Sequence, residues 1–228
     1  MNVRDAIITR KSVRAFRPYP VPEKMIRDIL DVASRAPSGG NLQPWRVYVL
    51  AGSVRQALID AVAAKLSDHP EGMDTEYPVY PPDLKDPYRS RRRKVGQDMY
   101  SLLGVLRSDR AGKIRHMARN YSFFDAPVGM MFTIDRAMGV GQFADLGMFM
   151  ENIMLLARER GLHTCAQEAW ARWHRIVYDV VGIPGHEMLF SGLALGYADE
   201  DAPVNRLETE RATVDEFAEF LGFDDGQH

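Results

Sequence analysis

The stretch "RAPSGGNLQPWRVYVL", Arg35 to Leu50, is where the fold begins to be legible. Its second half, "WRVYVL" (Trp45 to Leu50), is β-branched and aromatic and too short for a helix, so it predicts a strand. Pro37 stops any helix arriving from the N-terminal side. Between the two, Ser38, Gly39, Gly40 and Asn41 leave the main chain bare. Glycine lets a ligand approach the backbone closely, and Ser38 and Asn41 can hydrogen-bond a flat polar molecule. A plain helix-to-strand turn has the same composition, and on these residues alone both readings stand.

Working outward, "VPEKMIRDILDVASRAP" places Met25, Ile26, Ile29, Leu30 and Ala33 at helical spacing, with Pro22 and Glu23 suited to its first turn. A short helix over Val3 to Ile8 precedes it, and Ser53 is the expected N-cap of a helix running to about Leu66. Residues 68–88 hold five prolines and no apolar period, an irregular excursion of the kind that serves as a lid or binding loop. A helix pair follows, Arg89 to Leu106 and Asp109 to Arg119. "APVGMMFTID" (Ala126 to Asp135) and "EMLFSGLALGYA" (Glu187 to Ala198) read as strands, the second nearly continuous in apolar residues and therefore buried. Between them Phe143, Leu146, Met150, Ile153, Met154 and Ala157 form a broad apolar helical face that Gly161 ends, suited to a central helix shared with a partner subunit. Further helices are expected over Arg172 to Val181 and Asp215 to Leu221. Helices and strands mix without regular βαβ alternation, so the class is α+β, with one domain over 1–228 and a variable excursion at 68–110.

The 228 residues are 46% hydrophobic, enough for a sizeable core. A net charge of −2 gives no general attraction to nucleic acid or anionic membrane. The run Val140 to Ala157 is interrupted by Gln142, Asp145, Glu151 and Asn152, which marks it as a buried helix and not a membrane span. One cysteine, Cys165, excludes an internal disulfide. With no signal-peptide core in "MNVRDAIITRKSVR", a cytoplasmic location is expected.

The chemistry-bearing residues are few. "RKSVR" concentrates Arg10, Lys11 and Arg14 around Ser12. In an extended backbone Arg10, Ser12 and Arg14 share a face, and two guanidinium forks beside a hydroxyl suit a phosphate; a solvated basic turn is the alternative. "GLHTCAQEAW" (Gly161 to Trp170) is short, polar and partly small, so its amides could face a ligand. Cys165 there has no identifiable base and reads as a packed small hydrophobe. His69, His116, His163, His174, His186 and His228 show no metal-ligand spacing. There is no GxSxG elbow, Walker A loop or GxGxxG after a strand, so a nicotinamide cofactor has no dedicated bed and binds transiently. The cluster Arg89, Arg91, Arg92, Arg93 and Lys94 reads as a solvated helix face beside an acidic patch, or as a lure for a carboxylated substrate.

Three separated segments, "RKSVRAF", "APSGGNLQPWRVYVL" and "GLALGYADEDAPVNRLETER", resemble in order and spacing the FMN-dependent nitroreductase family, and the resemblance covers nearly the whole chain. It looks most like members acting on nitroaromatic compounds such as nitrobenzoates. The resemblance implies a homodimer with a mostly antiparallel sheet flanked by helices, FMN at the subunit interface, and NADH or NADPH as a transient co-substrate. It further implies that Arg10, Ser12 and Arg14 grip the phosphate and ribityl end, with Lys11 near the flavin's polar edge. Pro37, Ser38, Gly39 and Asn41 match the loop that reaches the flavin of the other subunit. Cys165, Ala166, Gln167, Glu168 and Ala169 match the segment whose backbone amide meets flavin N5, and Arg211 with Arg206 would complete the phosphate clamp. Relatives often carry proline at Ala166 and glycine at Ala169. The implied activity is two-step reduction of a small aromatic substrate through FMN. Reductive dehalogenation, flavin destruction, ene reduction and plain flavin storage remain compatible with the same motifs.

Overall fold

A computed structural model describes residues 1–223; His228 lies outside the described residues. Four strands form one antiparallel sheet in the order β1-β2-β4-β3, with β1 at Trp45–Ala51, β2 at Val128–Asp135, β3 at His163–Gln167 and β4 at Glu187–Gly196. β2 and β4 are central and almost wholly buried, which is why their sequences are nearly continuous apolar runs. Trp45 lies opposite Ile134 and Leu50 opposite Gly129, so "WRVYVL" is the strand its composition predicts, and it lies at the sheet edge.

Helices cover both faces. On one, α2 (Glu23–Ala33) and α6 (Val140–Glu159) bury Ile26, Ile29, Leu146 and Ile153 against Met130, Phe132 and Leu193. On the other, α3 (Gly52–Leu66) and α7 (His174–Val181) bury Leu58, Val62 and Val177 with Trp170, Trp173 and Met131. Short α1 (Val3–Thr9) packs on α6, while α4 (Tyr88–Leu102) and α5 (Arg110–Ala118) follow the excursion. α4 has no buried residue, so it stands outside both cores. No helix among the described residues is long and apolar enough to cross a membrane.

Four expectations need correction. "GLHTCAQEAW", read from its sequence only as short, polar and partly small, contains a strand, β3; pairing with β4 supplies what its weak β-composition lacks. α3 starts at Gly52 with Ala51 in the capping position, so Ser53 is not its cap. α4 ends at Leu102, before the expected Leu106. The last helix, α8, is only Val214–Phe217, held by a reciprocal Thr213–Glu216 capping pair and ended where Ala218 becomes extended.

The early part of the excursion is strapped down. The Met73 amide donates to the Arg172 carbonyl (3.0 Å), Arg172 returns a bond to the Glu71 carbonyl (2.9 Å), and Arg136 pairs with Glu76 (2.6 Å). The Tyr77 hydroxyl donates to the Phe190 carbonyl of β4, and its ring stacks on Phe190 at 5.9 Å.

Candidate functional site

α1 stops at Thr9, and Arg10 turns extended (φ −65°, ψ 126°). From there the chain runs beside the free edge of β3: Ser12 bridges Thr164 in parallel, and the Val13 amide donates to the Thr164 carbonyl at 3.0 Å. Val13 is fully buried, which fixes the alternation and turns Ser12 and Arg14 to the side opposite Val13. Arg10 is half-buried and meets Glu151 of α6 at 3.5 Å. Arg14 donates to the Ser12 carbonyl (3.1 Å) and, among the described residues, has no carboxylate partner.

Asn205 pins this segment. Its Oδ1 accepts the Arg14 amide (2.7 Å), its Nδ2 donates to the carbonyls of Ala15 and Asp199 (2.8 Å each), and its carbonyl accepts Lys11 Nζ (2.6 Å). Lys11 is thereby committed to Asn205.

On β3 the Thr164 carbonyl points to the open edge, and period-two alternation sends the Ala166 amide the same way; Ala166 is exposed. Cys165 faces inward. Burial pushes its thiol up against opposing pulls from Arg14, Ser12 and Arg10, so it stays protonated and is no nucleophile. Gln167 donates to the Asn120 carbonyl (2.8 Å), but its buried Oε1 has no partner. Burial raises the Glu168 carboxyl, which has no hydrogen-bond partner among the described residues, and half-buried Ala169 follows it.

The loop of Pro37, Ser38, Gly39 and Asn41 is anchored elsewhere. The Gly39 amide donates to buried Asp145 of α6 (3.2 Å), Ser38 Oγ accepts the Gln43 amide (3.0 Å), and Gln43 Nε2 reaches Asn41 Oδ1 (3.2 Å). Gly40 and Asn41 both have φ of +57°, and nothing lies within 4 Å of where a Gly40 side chain would stand. Among the described residues no hydrogen bond or ion pair joins this loop to residues 10–14 or 165–169. Its anchor Asp145 and the Arg10 anchor Glu151 stand about 9 Å apart along α6. Arg206 is exposed and without a partner among the described residues. Arg211 bonds to the Thr209 and Glu210 carbonyls and lines a cavity of about 750 Å³ between α4 and the C-terminal segment. The chain therefore brings residues 10–14 to β3 and Asn205, while among the described residues no hydrogen bond or ion pair joins the glycine loop, Arg206 or Arg211 to residues 10–14.

The charge at the cluster comes from arginine and lysine. Burial, then Arg158 and Lys11, hold His163 down to about 4; burial, then Arg119 and Arg14, do the same to His116. Both are neutral near pH 7. Arg158 can thus donate to His163 Nε2 at 2.9 Å. Two guanidiniums, a hydroxyl and an outward amide along one strand edge have the chemistry to hold the phosphate and polar ring edge of FMN. Among the described residues no group of three metal-ligating side chains occurs.

Sequence reasoning missed Asn205, Glu151 and Asp145. The last two were visible as charges interrupting an apolar helix, which is the signal that would have found them.

The model of the nitroreductase family matches residues 7–197. The chain is 39% identical over 221 residues to a 4-nitrobenzoate reductase of Pseudomonas putida, covering 96% of each. It is 38% identical over 219 residues to a chloronitrobenzene nitroreductase of Comamonas testosteroni, again covering 96% of each. The crystal structure of the FMN and NADPH-dependent nitroreductase NfnB from Sphigopyxis sp. strain HMH superposes with a TM-score of 0.95 at 45% identity, covering 98% of this chain and 100% of that one. The chain belongs to the nitroreductase family.

Proposed function

We propose that this protein is an FMN-dependent NAD(P)H nitroreductase that reduces nitroaromatic compounds and works as a homodimer. The observation that carries the reading is the convergence of Arg10, Ser12 and Arg14 on the open edge of β3, where the Ala166 amide is exposed. Bound there, FMN would supply two-electron chemistry, taking hydride from a nicotinamide and passing reducing equivalents to a nitro group in a separate half-reaction.

The chain's own residues do the rest. Arg10, Ser12 and Arg14 hold the phosphate and ribityl end. The outward Ala166 amide orients the ring edge, and Lys11 keeps Asn205 in place. Pro37, Ser38, Gly39 and Asn41 serve the flavin of the neighbouring subunit, and Arg211 with Arg206 approach the phosphate once the dimer forms. Exposed apolar side chains support the dimer: Ile7 and Ile8 on α1, Val140 and Met148 on α6, and Phe217, Phe220, Leu221 and Phe223 at the C-terminal end. The parent names of the relatives point to nitrobenzoates and chloronitrobenzene as the substrate class.

Anaerobic mixing tests this. NADPH or NADH should bleach the yellow protein, and a nitroaromatic should restore the colour. A yellow protein indifferent to both is a flavin store, and a protein that takes up no FMN defeats the reading.

A further inference from the structure

A nitro group becomes a nitroso group by taking up one hydride and one proton and losing water. The flavin reading accounts for the hydride, and the proton needs an acid. The cluster on the β3 edge is rich in cations and poor in acids. Arginine does not release its proton in proteins, and the Ser12 hydroxyl is far too weak an acid. Lys11 is spent on the Asn205 carbonyl. His116 and His163 carry no proton to give near pH 7. Cys165 is buried and faces inward. The carboxylates of the surrounding elements are engaged: Glu151 by Arg10, Asp145 by the Gly39 amide, Glu76 by Arg136 and Tyr178, and Asp74 by Arg175.

Glu168 is the acid left over. It follows β3 directly, two residues beyond the exposed Ala166. Gln167 is extended enough (φ −138°, ψ 78°) to carry the strand alternation onward, and its side chain is buried on the inner side with Cys165. Glu168 therefore turns to the Ala166 side. Its carboxyl is half-buried and, among the described residues, has neither a hydrogen bond nor an ion pair. The early excursion closes over it. The Tyr77 hydroxyl donates to the Phe190 carbonyl, and its ring stacks on Phe190. Continuing the β3–β4 register past Gln167 and Gly192 sets Phe190 level with Ala169, so Tyr77 ends beside Glu168. Tyr77 is the titratable group that faces it from the excursion, and burial followed by Glu168 holds that hydroxyl up, so it stays protonated. α6 contributes Asp145 and Glu151 to this side of the sheet, and the N-terminal segment Arg10, Lys11 and Arg14; none of them pairs with Glu168. A carboxyl half out of water with no cation beside it holds its proton more tightly, and burial raises Glu168 accordingly.

We propose that Glu168 is the proton donor of nitro reduction, its carboxyl passing a proton to a nitro oxygen as the nitro group takes up hydride. One N–O bond then breaks, water leaves with both hydrogens, and the nitroso product remains. Solvent water returns a proton to the carboxylate. The proposal rests on the reading that hydride from FMN reaches nitroaromatic compounds at the Ala166 edge.

Glu168→Gln keeps the shape and removes the acid. The FMN-loaded variant is reduced anaerobically with NADPH, then reoxidised by 4-nitrobenzoate or by ferricyanide, which takes electrons and needs no proton. Reoxidation by 4-nitrobenzoate should slow roughly tenfold or more, while reduction by NADPH and reoxidation by ferricyanide stay unchanged. In wild type the 4-nitrobenzoate rate should fall as pH rises through the Glu168 pKa, and the variant should lack that limb. Imidazole, a diffusible acid near neutral pH, should restore part of the rate to Glu168→Ala, which a merely structural loss would not allow. A further readout needs no flavin. A carboxyl raised on folding gives stability that is complete below its unfolded pKa and is lost as pH rises through the folded one. Flavin-free wild type should therefore lose melting temperature relative to Glu168→Gln as pH climbs above the ordinary carboxylate range. A 4-nitrobenzoate rate within about twofold of wild type in the variant overturns the proposal. So does equal slowing with ferricyanide, which makes Glu168 a group that positions the flavin. Parallel melting curves overturn it as well, since the carboxyl is then not held protonated. Wild type that takes up no FMN, or whose reduced flavin ignores 4-nitrobenzoate, fails the nitroreductase reading itself and takes the proposal with it.

Discussion

Asn205 holds three backbone groups with its side chain and the Lys11 ammonium with its own carbonyl. Asn205→Ala strands the Arg14 amide and removes a second donor from the Ala15 and Asp199 carbonyls, which keep the amides of Asp199 and Ala202, at a cost of about 2–4 kcal/mol. Thermal unfolding should move down by roughly 4–12 °C. Asn205→Asp keeps the acceptor for Arg14 and loses both donors, so it should also destabilise. A melting temperature within a degree of wild type for the alanine variant would refute the staple. Arg14 acts differently. Arg14→Ala should leave the fold standing and loosen FMN by roughly tenfold or more, read from flavin fluorescence released on dilution. Two histidines, buried His116 and half-buried His163, contribute to the acid limb of stability. Their folded pKa values of about 4 lie below the unfolded value, so the neutral forms favour the folded state. That contribution is complete above about pH 6.5 and drains away as pH falls toward 4. His116→Gln/His163→Gln should therefore lose less melting temperature than wild type between about pH 7 and pH 4.5; parallel curves would show that neither histidine is held neutral.

At the level of elements, β4 accepts Trp170 only because residue 192 is glycine. A Cβ there would stand 2.3 Å from Trp170 Cδ1, and Trp170 is fully buried. Gly192→Ala should cost about 1–3 kcal/mol, measured by denaturant unfolding. The same element shows what a sequence carries. β2 and β4 are legible because burial on both faces leaves a continuous apolar run, and α2 is legible because only one stripe is buried. β3 is not, since its residues earn strand geometry from β4 and from the segment of Ser12, partners remote in sequence. The site divides the same way. Arg10, Ser12 and Arg14 declare themselves through charge and spacing, whereas Asn205 lies about 190 residues from the backbone it secures and has no local pattern. The arginine row of α4 is equally hidden: only when wound at 3.6 residues per turn does it split into Arg91 and Lys94, paired with Glu216 and Glu210, and a face of Arg92 and Arg93 without carboxylate partners among the described residues.

For the whole molecule, the separation of the glycine loop from the cationic cluster is the main fact. If the loop completes a neighbour's flavin site, subunit separation and flavin loss are one event. Charged substitutions on the exposed α1 and α6 faces, Ile8→Lys with Met148→Lys, should give monomers that retain less than about a tenth of the flavin of wild type. Light scattering gives the mass and the absorbance ratio gives the flavin. A verified monomer with full flavin content would overturn that account of the loop.

α6 holds Arg10 through Glu151 and Gly39 through Asp145. On the dimer reading these two grips belong to different flavins, so one rigid rod is shared by two cofactors. Filling the first site fixes the rod that frames the second. Titration of apo-dimer with FMN should accordingly give two unequal steps, and Asp145→Asn, which weakens the rod's hold on the loop, should draw the two steps together.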